Sequence, residues 1–194
     1  NDTAFERNVQ QIVALGAYSH AALKDVVRAT GIQYHRLECG IAHFYSDQKS
    51  LDEAGHAVEV MRKFGVQRRL VSRAELLQIE PAFSAYGERI TGGTYTSTDE
   101  SGDARLFTQQ LARRCAERGA QFLYGHDVLR LNKTGNTIDS VAVSAIQSGA
   151  TGQKHSILKG DAIVVACGSY SAPLLRSVGV DLPIYPGKGY SATF

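Results

Sequence analysis

The sequence predicts an α/β portion preceded by a separate α+β lobe, and three observations carry that expectation. From residue 103 onward the pattern reads helix, strand, hairpin, buried strand and glycine-containing turn, which is an α/β order. Within it, Ala162, Ile163, Val164, Val165 and Ala166 form a continuously apolar run, the mark of a strand covered on both faces. The region before Ser97 mixes helical and strand periods without such a run and reads as its own lobe.

The elements follow in order. Phe5, Val9, Ile12, Val13, Leu23, Val26 and Val27 recur at three and four, the period of an amphipathic helix, and Thr30-Gly31 is its stop. Tyr34, Leu37, Ile41, Phe44 and Tyr45, broken by Gly40, suit two short strands or one bent strand. Leu51, Ala54, Val58, Met61 and Phe64 share one helix face, closed by Gly65. After a brief strand over 66–71, Ser72 and Glu75 match a capping box, and Pro81 must end the short helix they open. Thr94 to Thr98 alternates as a strand after the pair Gly92-Gly93. Asp103 or Ser101 then caps a helix with Phe107, Leu111 and Cys115 as its buried stripe and Gly119 at its end. Residues 120–124 and 128–131 are short apolar stretches with Gly125-His126-Asp127 between them, as in a strand with an interruption or a tight change of direction; residues 132–136 read as a hairpin turn, and 138–146 as a strand with one wet face. A further turn spans 149–154, a strand 155–158, and the buried run ends at Cys167-Gly168-Ser169.

A chain of 194 residues can bury one large core or two small ones. With 43% hydrophobic and 21% charged residues it is expected to fold rather than stay disordered. A net charge of +2 with no basic stripe argues against nucleic acid as a partner. No apolar run approaches the roughly 20 residues that span a bilayer, and no signal-peptide pattern opens the chain, so an intracellular, soluble protein is expected. Cys39, Cys115 and Cys167 form no C-x-x-C pair and read as small buried side chains, not as a disulfide or zinc framework. His35 and His43 stand too far apart, without carboxylate company, for a metal site. Asp99, Glu100 and Asp103 lack the spacing of a calcium loop and are read as helix capping and surface charge. Gly187-Lys188-Gly189 is followed by a strand-like stretch and not by a helix, so it is no phosphate loop.

Two stretches carry a resemblance. The run from Thr94 through Ser97, Asp99, Glu100, Ser101, Gly102, Asp103, Arg105 and Phe107 is one, and the run from Ala162 through Gly168, Pro173 and Leu175 to Leu182-Pro183-Ile184-Tyr185-Pro186-Gly187-Lys188-Gly189-Tyr190 is the other. Both resemble the FAD-dependent D-amino acid oxidase-like superfamily, closest to the bacterial D-amino acid dehydrogenases; Gly187 departs from the larger apolar residue expected there. The resemblance implies a partial Rossmann-type FAD lobe with an antiparallel-sheet substrate lobe, truncated at both ends. On that reading residues 1–96 are a substrate-lobe portion, 97–180 an FAD-lobe portion, and 181–194 the start of a second substrate-lobe segment.

The same resemblance implies cofactor contacts at Val128, Ala166, Cys167 and Gly168, with Val128 meeting the adenine through its backbone, and approach of Lys188 and Tyr190 to flavin or substrate. Gly168, at the end of a buried strand, suits close backbone approach to a ligand. The implied reaction is oxidation of a D-amino acid to a keto acid and ammonia, with electrons passed to an acceptor of the respiratory chain at the inner face of the cell membrane. No serine, cysteine or histidine nucleophile is expected, because the flavin carries the chemistry. Rival readings are a glycine, sarcosine or 2-hydroxy-acid oxidase of the same fold, and a catalytically silent binding subunit. The dinucleotide motif G-x-G-x-x-G is absent from these residues. The chain is therefore expected to be an internal fragment that by itself binds FAD poorly or not at all.

Overall fold

The computed structural model describes residues 2–146 and 155–189. The chain divides into two compact units, Asn1–Ala120 and Gln121–Phe194.

The first unit opens with helix α1 (Asp2–Thr30), which Gly31 ends at φ 66°. Only part of the expected stripe is covered: Val9, Val13, Leu23, Val26 and Val27 are partly buried, whereas Phe5 and Ile12 are exposed. Strands β1 (Ile41–Tyr45), β2 (Arg68–Ser72) and β3 (Gly92–Thr96) form an antiparallel sheet in the order β1-β3-β2. Gly92 and Gly93 lie inside the central strand rather than ahead of it. A Cβ on Gly93 would fall 2.4 Å from the His43 carbonyl oxygen, and Leu76 packs over the same spot. The missing side chain is what lets Leu76 reach the sheet, where it forms a core with Val71 and Ile90.

Helix α2 (Gln48–Lys63) starts where the Asp47 carboxylate accepts the Ser50 N–H at 2.8 Å, and Gly65 follows its end at φ 88°. In α3 (Arg73–Ile79) the Ser72 hydroxyl accepts the Glu75 N–H, but the Glu75 carboxylate turns to Arg69, so half of the expected capping box forms. Pro81 stops α3 and begins a 3-10 helix over Pro81–Arg89. Helix α4 (Ala104–Glu117) is capped by Asp103, which accepts the Leu106 N–H at 2.8 Å, and Gly119 follows at φ 94°. The Phe107 ring meets Tyr34 edge-on at 5.2 Å. Compactness thus groups α4 with the residues before it, whereas the lobe boundary drawn at 96/97 groups it with those after.

The second unit is built on β4 (His126–Thr134), β5 (Thr137–Ala145) and β6 (His155–Lys159), antiparallel in the order β4-β5-β6. The hairpin turn is tighter than expected. Asn132, Lys133 and Thr134 belong to β4, and only Gly135, at φ 60°, and Asn136 turn the chain. Strand β5 does not alternate: Ala142, Val143 and Ser144 are all buried, because β5 is the middle strand and both its faces are covered.

Two expected strands do not form. Residues 120–124 and 162–166 are irregular, with Tyr124 75% and Val164 88% exposed. A doubly covered strand requires neighbours on both sides and cover on both faces, and among the described residues no strand pairs with either stretch. Gly168, at φ 55°, instead opens a 3-10 turn (Gly168–Tyr170) that runs into α5 (Ser171–Arg176). Residues 181–189 have no regular structure, and the turn expected at 149–154 and the strand expected after Lys188 lie outside the described residues. Among the described residues no helix is long and apolar enough to cross a membrane.

Candidate functional site

The candidate site lies within the second unit, where the start of β4 faces the turn at Cys167. A groove of about 580 Å³ is lined there by His126, Asp127, Val128, Leu129, Cys167, Tyr170, Pro173 and Leu174. Val128 and Cys167, distant in sequence, are thereby brought together.

Local sequence explains how each wall is held. Strand β4 is an edge strand, so one row of its backbone N–H and C=O groups is left unpaired by the sheet. Its register with β5 shifts between Val128 and Arg130, a bulge that leaves Leu129 as the extra residue. Gly125, at φ 65°, turns the chain into β4, and His126 Nδ1 lies 2.9 Å from the Tyr124 carbonyl oxygen. On the opposite wall the Cys167 N–H donates to the buried Ser171 hydroxyl at 3.1 Å, and the Tyr170 N–H donates to the Cys167 carbonyl. Pro173 sits in the first turn of α5, where its missing N–H costs no helical bond.

Ala166 and Gly168 flank Cys167 without lining the groove, and neither does Lys188, which is exposed in the irregular segment. Tyr190 lies outside the described residues. Gly168 is needed for its positive φ; a Cβ there would meet open space. Cys167 and Cys39 are exposed rather than buried, because Cys167 stands on a turn and not inside a covered strand. Glu100, read as surface charge, is in fact 8% exposed at its side chain, enclosed by Arg36 and α1. Asp103 does cap α4 as expected. Among the described residues no group of His, Cys, Asp and Glu could hold a metal ion.

The sequence reading missed His126, Asp127, Leu129, Tyr170, Pro173 and Leu174 as lining residues. The signal for the last three was the glycine turn at Gly168 leading into a helix with Pro173 in its first turn.

The groove sets the strand-edge groups of β4 left unpaired by the sheet beside Tyr170, Pro173 and Leu174. The lining carries no Lys or Arg, and α5 has only six residues.

The family described as FAD dependent oxidoreductase matches residues 3–194. The chain is 44% identical over 187 residues to a D-amino acid dehydrogenase of Dechloromonas aromatica (strain RCB), covering 96% of this chain and 44% of that protein. It is 38% identical over 192 residues to a D-amino acid dehydrogenase of Methylobacterium radiotolerans, covering 99% of this chain and 44% of that protein. Among solved structures, a glycine oxidase from Geobacillus kaustophilus aligns with a TM-score of 0.66 at 21% identity, over 90% of this chain and 44% of that one. L-proline dehydrogenase from P. horikoshii aligns with a TM-score of 0.65 at 19% identity, over 89% and 41%. These likenesses show the fold, which is the one expected from the sequence, and the chain spans less than half the length of each protein. On the match over residues 3–194, this chain belongs to the family of FAD dependent oxidoreductases.

Proposed function

We propose that the whole protein is an FAD-dependent dehydrogenase that oxidises D-amino acids to keto acids and ammonia. The observation that carries this reading is 44% identity, across 96% of the chain, to a protein named D-amino acid dehydrogenase. When bound, the flavin would supply the acceptor for the hydride leaving the substrate α-carbon. In this reading the unpaired edge of β4 at Val128 meets the adenine through backbone groups, and the turn at Ala166, Cys167 and Gly168 closes over the same end of the nucleotide. Lys188 and Tyr190 approach the flavin ring or the substrate.

The exposed apolar stretches 120–124 and 162–166 fit the same reading, because both have the composition of strands in a covered parallel sheet. Their cover would come from the remainder of the protein, which also supplies the pyrophosphate site. The electron acceptor is a component of the respiratory chain, reached at the inner face of the cell membrane without a spanning helix.

The test is turnover by the full-length protein with an artificial electron acceptor, comparing D-alanine with glycine, sarcosine and 2-hydroxyglutarate. Preference for D-alanine supports the proposal. Preference for glycine or sarcosine assigns an amine oxidase activity instead, and 2-hydroxyglutarate a hydroxy-acid oxidase. Flavin binding without turnover of any of them assigns a silent binding subunit.

A further inference from the structure

The net charge of the chain is only +2, but its cations are not evenly spread. Residues 60–74 hold Arg62, Lys63, Arg68, Arg69 and Arg73 and no acidic residue. The fold gathers three of them. Helix α2 ends in a tight turn, where the Gly65 N–H donates to the Arg62 carbonyl at 3.0 Å and the Val66 N–H to the Met61 carbonyl at 3.2 Å. The chain reverses within residues 64–67, which sets Arg62, in the last turn of the helix, beside Arg68 and Arg69 at the start of β2. Arg62, Arg68 and Arg69 line one groove of about 440 Å³ with Gly65, Val66 and Gln67, and no acidic side chain lines it.

Each guanidinium keeps donors for a ligand. Arg68 gives Nε to the Thr96 hydroxyl at 3.1 Å, and among the described residues no carboxylate pairs with it. Arg62 meets Glu59 and Arg69 meets Glu75 through Nη1, and all four of these side chains are at least 41% exposed. Exposed pairs of this kind contribute about 0–1 kcal/mol and yield to a better acceptor. A guanidinium presents its N–H groups as a planar fork that matches two oxygens of a phosphate. The carbonyl end of α2 opposes an anion, but it carries only about half a charge, and Gly65 and Val66 already answer two of its carbonyls. Three full positive charges outweigh it.

We propose that this groove binds a phosphate oxyanion, held by Arg62, Arg68 and Arg69. The phosphate belongs to a soluble phosphorylated compound or to a lipid headgroup, two sources of one chemistry that the experiment separates. Chloride has no pair of oxygens to span a fork, and a carboxylate has too few to engage three. The inference uses the first unit alone and does not depend on the reaction proposed above.

The test has two arms. The 194-residue chain is titrated with sodium phosphate and followed by ¹H–¹⁵N chemical shifts, with sodium acetate and sodium chloride at matched ionic strength in parallel. It is also sedimented with phosphatidylglycerol vesicles and with phosphatidylcholine vesicles. Saturable shifts at Gly65, Val66 and Gln67 with phosphate, without sedimentation, assign a soluble phosphorylated ligand. Sedimentation with phosphatidylglycerol and not with phosphatidylcholine assigns the headgroup. In either arm Arg68→Gln weakens binding by about tenfold or more, the loss of one charge-assisted contact. Should that variant fail to fold once Thr96 loses its donor, Arg62→Gln, on the exposed surface of α2, must weaken binding likewise. Lys49→Gln removes the same charge in the first turn of α2, outside the groove, and leaves binding unchanged. Equal weakening by Lys49→Gln and Arg62→Gln means diffuse attraction and overturns the site. The same response to acetate or chloride as to phosphate, or binding in neither arm, overturns the proposal.

Discussion

Replacing Leu76 by alanine tests the account of the first unit most directly. Leu76 is fully buried, and it closes a core with Val71 and Ile90 over the glycines of β3. The substitution removes three carbons, worth about 0.8 kcal/mol each on transfer from water, or roughly 2.4 kcal/mol. The void adds about 24 cal/mol per Å³, and if half of a ~75 Å³ side-chain difference stays empty this contributes a further ~0.9 kcal/mol. The expected loss is therefore about 3 kcal/mol, or roughly 6–12 °C in Tm at 2–4 °C per kcal/mol for a chain of this size. Urea unfolding followed by far-UV circular dichroism measures it, because α1 to α4 all belong to the first unit and dominate the helical signal. Leu70→Ala is the comparison. Leu70 sits on the same sheet but is 48% exposed, so its loss is about 1 kcal/mol or less. A loss below about 1 kcal/mol at Leu76, or equal losses at the two positions, refutes the packing described for β3.

Gly93→Ala must displace the His43 carbonyl or Leu76 and is expected to lower the thermal midpoint, whereas Gly16→Ala, in α1 with open space around it, raises stability by about 0.5–1 kcal/mol; thermal melts of both variants decide the pair. The Ser50 N–H first, then the Ser50 hydroxyl, hold the Asp47 carboxyl below its ordinary value of 3.8, so its stabilisation of α2 is full above that pH and declines as pH falls through the lowered value; the stability gap between wild type and Asp47→Ala, measured across pH 2–6, should narrow only at the acid end. The purified 194-residue chain is expected to carry no stoichiometric flavin, since in the proposed reading the groove at Val128 and Cys167 takes only the adenine end of the nucleotide; a 450 nm absorbance matching one flavin per chain would contradict this. In the full-length protein, Cys167→Trp fills that groove and should lower flavin occupancy while leaving the core around Leu76 unaffected.

Local chemistry determined much of this protein. Helix stops at Gly31, Gly65 and Gly119, caps at Ser72 and Asp103, and the break at Pro81 were all legible in the sequence, because each depends on a backbone preference or on a bond to a residue three positions away. The quoted runs around Asp99 and Gly168 also sufficed to identify the family. Tertiary structure alone decided the rest. Residues 162–166 have the composition of a covered strand, yet a strand exists only through hydrogen bonds to its neighbours, and none among the described residues provides them. Glu100 reads as surface charge until Arg36 and α1 enclose it, and Val128 meets Cys167 only because β4 and the turn before α5 fold onto one groove. Burial and juxtaposition are properties of pairs distant in sequence, and no local pattern encodes them.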